Sequence, residues 1–307
     1  GAFRFGNNVN GGGPGNTVFT SSSITINPVA EVNDMSDFIC SGVAFTVSPQ
    51  DVVNGRIPTG TTYSWSAPSV PAGLVTGGVA GSGATITGNL VNTTNIAQPV
   101  AYTVTPITNG CPGDPFQINI LLNPNANINT INAEVCSNSS FSVTPVHFTN
   151  GVVPASTTYT WTAPSVTGGV TGGLAGSGNS IAGTLINPTN TPQTATYTVT
   201  PITGSCVGPN FNVVVTVNPR PALTAMSAAS CSNQPFTVNP VNGTNGVVPA
   251  GTTYAWSSPS VPAGITGGSA GSGTTIAGTL TNSTNAPLNA TYTVTPTSGT
   301  CAGNPFT

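Results

Sequence analysis

The fold is decided by a stretch that opens with Cys231-Ser-Asn-Gln-Pro-Phe-Thr-Val238, continues through Thr252-Thr-Tyr-Ala-Trp256 and Ala290-Thr-Tyr-Thr-Val-Thr-Pro296, and closes at Cys301. The same unit occurs twice more, between Cys136 and Cys206 and between Cys40 and Cys111. By residue number, the opening cysteines lie 96 and then 95 positions apart, and the closing cysteines lie 95 positions apart both times. A fixed internal period of this kind means that one structural unit is repeated. Function is therefore expected in an array of similar modules, not in one singular pocket.

Charged residues are rare in this chain. Its 307 residues include 3 Lys or Arg and 6 Asp or Glu, which gives a net charge of −3. So few basic residues cannot build the positive surface that nucleic acids need, and no nucleic-acid partner is expected. Apolar residues alternate with polar ones and never fill the roughly 18 consecutive positions of a transmembrane helix, so no membrane span is expected.

The six cysteines occur as one pair in each module, at the same two positions. Zinc sites need four clustered ligands, and the single histidine, His147, has no histidine partner. The pattern predicts one disulfide within each module, with small buried free thiols as the alternative. The predicted pairs are Cys40–Cys111, Cys136–Cys206 and Cys231–Cys301. Disulfides form in oxidising compartments, which favours an extracellular protein.

The dipeptide Asn-Pro marks the boundaries between modules, at Asn27-Pro28, Asn123-Pro124 and Asn218-Pro219. Alternating apolar and polar residues before it predict a half-buried strand, which proline ends because it cannot donate to the ladder. We therefore expect a glycine-rich lead-in with one strand at 1–27, followed by three repeats. Their expected ranges are 28–123, 124–218 and 219–307, and the third repeat is expected to lack its last strand.

Inside each module, short alternating segments separated by glycine and proline predict about seven strands and no helix. A tryptophan on the third strand and a tyrosine before the closing cysteine share the apolar face of their strands, so both are expected in the core. These core residues are Trp65, Trp161, Trp256, Tyr102, Tyr197 and Tyr292. Seven short strands with a tryptophan on the third are typical of an immunoglobulin-like sandwich. The predicted fold is therefore all-β, with three sandwich domains in tandem.

No candidate for catalysis or metal binding recurs in all three modules. The glycine-rich stretch Thr76–Gly83 lacks the lysine and the helix of a phosphate-binding loop, and is expected to be a turn between strands. No carboxylate recurs, so no acid–base pair or calcium cage belongs to the repeat, although Asp34 and Asp37 could form a single calcium site. His147 is expected at the surface. Neither a cofactor nor a metal nor enzymatic activity is expected.

Four recurring motifs resemble the PKD-like repeats of very large bacterial surface proteins. In the first module they are Cys-Ser-x-x-x-Phe-x-Val-x-Pro at Cys40–Pro49, Thr-Thr-Tyr-x-Trp at Thr61–Trp65, Gly-Ser-Gly-x-x-Ile at Gly81–Ile86 and Tyr-Thr-Val-Thr-Pro at Tyr102–Pro106. The resemblance covers about residues 28–307, but Trp65 is followed by Ser-Ala-Pro-Ser where the classical PKD domain has an Asp-containing motif. It implies tandem sandwiches in proteins typical of Bacteroidota, many exported by the type IX system for adhesion or gliding.

These features predict a non-enzymatic structural segment of an extracellular bacterial adhesin, stalk or surface fibre. The alternative is an array of carbohydrate-binding modules, in which exposed aromatic residues would stack on surface glycans. The expected partners are neighbouring repeats of a longer chain or other copies of this one. For other copies, two modes stay open: donation of the strand Thr17–Asn27 to the third repeat, and lateral packing without strand donation.

Overall fold

The computed structural model describes residues 24–307. Within that range the chain forms β-strands and no helix, so the predicted all-β fold is confirmed. The predicted strand Thr17–Asn27 lies largely outside the described residues, and its end, Ile24–Asn27, is exposed and not in a strand. The chain divides into two compact units, of which one ends at Leu122 and the other includes Asn123–Thr307.

The first repeat has eleven strands. Its larger sheet has the strand order β2-β11-β9-β5-β7, with β10 also paired to β9, and its smaller sheet has the order β3-β8-β6. The short strands β1 and β4 pair with each other. The strands are β1 Glu31–Val32, β2 Met35–Cys40, β3 Ala44–Val47, β4 Gly55–Arg56, β5 Thr62–Trp65, β6 Val75–Gly77, β7 Gly81–Gly83, β8 Ile86–Asn92, β9 Gln98–Thr108, β10 Cys111–Pro112 and β11 Phe116–Asn123.

The second repeat also has eleven strands, and its larger sheet has the order β13-β22-β20-β16-β18, with β17 and β21 also paired to β20. Two small pairs, β14 with β19 and β12 with β15, complete it. The strands are β12 Asn127–Ile128, β13 Ile131–Cys136, β14 Ser139–Val143, β15 Gly151–Val152, β16 Thr158–Trp161, β17 Ser165–Val166, β18 Gly176–Gly178, β19 Ile181–Leu185, β20 Gln193–Thr203, β21 Cys206–Val207 and β22 Phe211–Asn218.

The third repeat has nine strands, in sheets of order β28-β26-β30-β31 and β24-β29-β27 and in the pair β23 with β25. Its chain around Met226–Cys231 is not in a strand, and the Met226 N–H donates to the Thr307 carbonyl at 2.9 Å. The strands are β23 Ala222–Leu223, β24 Pro235–Val238, β25 Gly246–Val247, β26 Thr253–Trp256, β27 Ile265–Gly267, β28 Gly271–Gly273, β29 Ile276–Asn282, β30 Val294–Ser298 and β31 Cys301–Ala302.

The alternation in the sequence places the core between the two sheets of each repeat. In β9, Val100, Tyr102 and Val104 are buried while the residues between them are more exposed, because successive side chains of a strand point to opposite faces. Proline ends the last strand of each of the first two repeats: β11 stops at Asn123 before Pro124, and β22 stops at Asn218 before Pro219.

The same aromatic pairs recur in each core. A phenylalanine after the opening cysteine packs against the tyrosine before the closing cysteine, with ring centroids 5.6, 5.7 and 5.6 Å apart in Phe45–Tyr102, Phe141–Tyr197 and Phe236–Tyr292. A second pair, Tyr159–Phe211 in the second repeat, is T-shaped with centroids 6.1 Å apart. Such tilted and edge contacts are the geometry that aromatic rings prefer.

The tryptophans lie in or against the cores: Trp65 is buried, and Trp161 and Trp256 are partly buried and packed on them. The glycine-rich stretch Thr76–Gly83 makes room for the Trp65 ring. Gly77 and Gly78 have positive φ, as expected for a turn, but Gly81 lies in β7 against the Trp65 ring. A Cβ at Gly81 would come within 2.5 Å of the ring, so glycine is needed there for close packing and not for a phosphate.

Candidate functional site: the junction between the second and third repeats

The two cysteines of the second repeat lie at opposite ends of its larger sheet. β13 runs parallel to β22, and this register places Cys136 beside Asn218, where the chain leaves the repeat. Cys206 pairs with Thr203 at the far end of β20, whereas Gln193 at the near end of β20 pairs with Val217. Ten residue steps along β20 span roughly 30 Å, whereas a disulfide needs Cα atoms within about 7 Å.

The disulfide at this junction joins different repeats. Cys136 is bonded to Cys301 across 165 residues, with the Cα atoms 5.5 Å apart. The predicted pairs Cys136–Cys206 and Cys231–Cys301 are therefore wrong. Cys40–Cys111 is wrong as well, because Cys111 and Cys231 are free thiols, while Cys40 and Cys206 are each disulfide-bonded. In the second repeat, the sheet holds the two cysteines too far apart to bond.

Cys301 reaches the junction because its hairpin packs on the linker. β31 folds back on β30 through a turn at Gly299, which has a φ of 57°, and the Gly303 N–H donates to the Pro296 carbonyl at 2.8 Å. A Cβ at Gly303 would overlap the carbonyl oxygen of Pro221 in the linker, so only glycine allows this approach. The closing cysteine is thereby held beside the segment by which the chain enters its repeat.

Hydrogen bonds fasten the other side of the junction. The Ser137 N–H donates to the Asn218 carbonyl, and the Asn187 side-chain amide donates to the Val217 carbonyl, both at 2.8 Å. Arg220, in the linker, donates from its guanidinium to the Ser139 hydroxyl at 3.2 Å. Ser137 and Asn187 are buried, so these bonds satisfy polar groups that water does not reach. The disulfide thus lies next to a linker fixed by the repeat before it.

Sequence reasoning missed one recurring role because the residue type changes. Asp51, His147 and Asn242 occupy the same position of the three repeats, and each side chain accepts a hydrogen bond from the backbone N–H six residues later. The acceptor distances are 2.8 Å from Ile57, 3.2 Å from Val153 and 2.9 Å from Val248. His147 therefore caps a loop, and its ring packs on Phe148 with centroids 3.9 Å apart. The sequence signal for this role is a side chain that can accept a hydrogen bond, charged or neutral, four residues before the short strands β4, β15 and β25.

The two carboxylates considered for a calcium site, Asp34 and Asp37, each accept a hydrogen bond from a backbone N–H. Asp34 accepts a hydrogen bond from the Gln117 N–H at 2.7 Å, and Asp37 accepts one from the Phe38 N–H at 2.8 Å. Over residues 24–307, no group of three or more His, Cys, Asp or Glu side chains is placed to hold a metal ion. The same part of the chain contains no helix of the length and hydropathy needed to cross a membrane.

The recurring Asn-x-Thr triplets form a turn. The side-chain oxygen Oδ1 of Asn282 accepts hydrogen bonds from the Thr284 N–H and hydroxyl at 2.9 and 2.8 Å, and the side-chain Nδ2 of Asn282 donates to the Ala286 carbonyl. Asn187, followed by Pro188 and therefore outside any glycosylation sequon, makes the same bonds. The triplet thus has a structural role that does not depend on a glycan.

One comparison with known proteins supports the fold. The family model of the PKD-like domain matches the chain three times, at residues 37–126, 133–221 and 223–307. No curated protein matches it.

Three solved structures are similar to the chain at sequence identities of 11, 13 and 14%. The FN1–FN3 domains of chicken CNTN1 are 11% identical, with a TM-score of 0.31 over 90% of this chain and 94% of that chain. FdeC, an Escherichia coli adhesin, is 14% identical, with a TM-score of 0.26 over 91% and 96%. The endo-fucoidan hydrolase MfFcnA4 of glycoside hydrolase family 107 is 13% identical, with a TM-score of 0.26 over 64% and 30%.

Proposed function

The chain belongs to the PKD-like domain family, and on that premise we propose that it is a non-enzymatic structural segment of a bacterial adhesin, forming part of a stalk or surface fibre. PKD-like repeats with disulfides fit an extracellular protein. Export by the type IX system is the route that the resemblance to Bacteroidota surface proteins suggests. The mechanism is mechanical: paired sheets resist unfolding, and a covalent bond couples adjacent repeats.

The observation behind this proposal is the Cys136–Cys301 bond. A disulfide within one domain protects only that domain, whereas this bond encloses the junction and most of two repeats. Tension applied to the ends of the chain passes through the bond and bypasses the 165 residue steps between its cysteines. At about 3.3–3.6 Å per residue, roughly 550 Å of extended chain is thereby kept from lengthening under load.

The aromatic residues do not favour the alternative, an array of carbohydrate-binding modules. The tryptophans and tyrosines that recur in every repeat are buried or partly buried in or against the cores, and none of them is an exposed side chain. Among residues 24–307, two phenylalanines are exposed, Phe38 at 73% and Phe148 at 89%. The other repeats hold different residues at both positions, namely Glu134 and Ala229 for Phe38, and Val52 and Gly243 for Phe148. An exposed aromatic platform is therefore not a feature of the repeat.

Single-molecule force spectroscopy on the chain, tethered by its two ends, tests the mechanical role. We expect the oxidised chain to extend at least roughly 500 Å less than the chain pulled in reductant, because the disulfide-enclosed segment stays short. The double variant Cys111→Ser/Cys231→Ser is the matched control, since both residues are free thiols, and it should extend like the unmodified chain. Equal extension with and without reductant would contradict the proposal. Saturable binding to one glycan on an array would instead favour the carbohydrate-binding alternative.

A further inference from the structure

The two free cysteines occupy the same repeat positions as the two cysteines of the disulfide at the junction. Cys136, which opens the second repeat, is bonded to Cys301, which closes the third. Of the free thiols among residues 24–307, Cys231 opens a repeat and Cys111 closes one. The rule observed at the junction, opening cysteine to closing cysteine of another repeat, therefore leaves one cysteine of each kind unbonded.

The turn that follows Cys231 is the same as the turn that follows Cys136. In each case a tight turn follows the cysteine, with Asn233 at φ 66° and Asn138 at φ 63°. The N–H of that asparagine donates to a leucine carbonyl of the adjacent strand, Leu280 at 2.9 Å or Leu185 at 2.7 Å. The turn next to the bonded cysteine is thus also present at Cys231, which is exposed.

The segment around Cys111 has the local structure of Cys301. Both cysteines begin a short strand that folds back on the strand before it. Cys111 in β10 pairs with Thr108 in β9, and Cys301 in β31 pairs with Ser298 in β30. Two residues later, the N–H of Gly113 donates to the Pro106 carbonyl at 2.8 Å, as the N–H of Gly303 does to Pro296. A Cβ at Gly113 would overlap the Ala30 carbonyl oxygen of the incoming chain, the same close approach that Gly303 makes to Pro221.

We propose that Cys231 forms a disulfide with Cys111 of a second copy of this chain, joining copies head to tail in the way that Cys136 and Cys301 join repeats. The step is a thiol–disulfide exchange with oxidised glutathione as the oxidant. The Cys231 thiolate attacks one glutathione sulfur and releases a glutathione thiolate; the Cys111 thiolate then attacks the Cys231 sulfur of the mixed disulfide and releases the second. Two cysteine thiols are oxidised and one glutathione disulfide is reduced to two thiols.

This inference is independent of the stalk function, since it concerns which two cysteines bond and not what load they bear. It is tested with two single variants of the folded chain, Cys111→Ser and Cys231→Ser, each incubated with oxidised glutathione alone and as an equal mixture. Non-reducing electrophoresis and peptide mapping identify the products. Because docking of matched repeat ends raises the effective concentration of the two thiols, we expect roughly tenfold more linked dimer in the mixture than in either variant alone. The linked peptides should contain Cys231 and Cys111.

Two results would overturn the proposal. Homodimers of either variant as abundant as the mixed dimer would show that exposed thiols couple at random. A mixture that stays monomeric, with only glutathione attached to the cysteines, would show that the two ends do not dock. The unmodified chain should form a series of oligomers that returns to monomer in reductant, while the Cys111→Ser/Cys231→Ser variant should stay monomeric throughout.

Discussion

The second and third repeats have nearly the same sequence pattern but differ in how much of it is packed. In the second repeat β20 has eleven residues and fourteen buried residues form the core cluster. In the third, the corresponding strand β30 has five residues and the cluster has four. The difference is β22, which pairs with both β13 and β20. In the described part of the third repeat, the pairing of β22 with β20 is represented only by the isolated bridge between Phe306 and Val294.

This comparison shows that β22 organises the larger sheet. β13 pairs in parallel with β22, and in the third repeat the matching segment, Met226–Cys231, is not in a strand. An edge strand in a parallel pair depends on its neighbour for its entire ladder. In the third repeat, the smaller sheet β24-β29-β27 and the strand β26 are present beside the single Phe306–Val294 bridge, whereas the opening strand is not.

Removing the covalent link between these two repeats should have the largest effect. In the chain-entropy model, losing a bond that closes 165 residues costs about 5 kcal/mol, as an upper value. We expect Cys136→Ser/Cys301→Ser to lower the free energy of unfolding of the pair, and the third repeat to unfold at a lower urea concentration than the second. The control Cys111→Ser/Cys231→Ser should change stability by less than about 0.5 kcal/mol. Unchanged urea midpoints in the first variant would refute the coupling.

Breaking β22 should make the second repeat behave like the third. Val215 lies at the centre of β22, opposite Ala133 on one side and Ala195 on the other. Proline there removes the backbone donor and leaves a buried partner unsatisfied, so Val215→Pro should cost about 3 kcal/mol. Hydrogen exchange should show lost protection in β13 and in the first half of β20. Val215→Ala is the control: it creates a cavity costing about 2 kcal/mol but keeps the ladder, so protection there should persist.

Local and periodic features of the sequence were sufficient to predict the fold. Alternation predicted which faces of strands such as β9 are buried, and the Asn-Pro at Asn123 and Asn218 predicted where last strands end, because both depend on neighbouring residues only. The disulfides were predicted wrongly because pairing depends on long-range register. The parallel placement of β13 beside β22 puts Cys136 and Cys206 at opposite ends of a sheet, and no local pattern specifies that placement.

The loop acceptors show a second limit. Asp51, His147 and Asn242 differ in charge and chemistry, so no reactive group recurs at that position of the three repeats. Their common property is a hydrogen-bond acceptor that reaches the backbone six residues later. Several residue types meet that requirement, and therefore the role is preserved while the residue is not.

The smallest expected effect concerns the core tyrosines. The hydroxyl groups of Tyr197 and Tyr292 are buried and have no hydrogen-bond partner among the described residues. Tyr197 is only 1% exposed, while Tyr292 is partly buried in the smaller core of the third repeat. A buried hydroxyl without a partner is destabilising, so Tyr197→Phe should be neutral or should raise the free energy of unfolding by up to about 1 kcal/mol at pH 7. Tyr292→Phe, the matched control, should gain less.

The same pair of variants responds differently to alkali. Burial raises the pKa of Tyr197 above the ordinary value of 10.0, so the folded repeat keeps this tyrosine protonated while the unfolded chain ionises it. The stability associated with the neutral form is thus complete below pH 10.0 and is lost as the pH rises from there through the folded-state pKa. Phenylalanine does not titrate, so the advantage of Tyr197→Phe in urea unfolding should grow between pH 9 and pH 11, two values on either side of the ordinary tyrosine pKa of about 10. A variant destabilised at both pH values would mean that the hydroxyl makes a stabilising hydrogen bond.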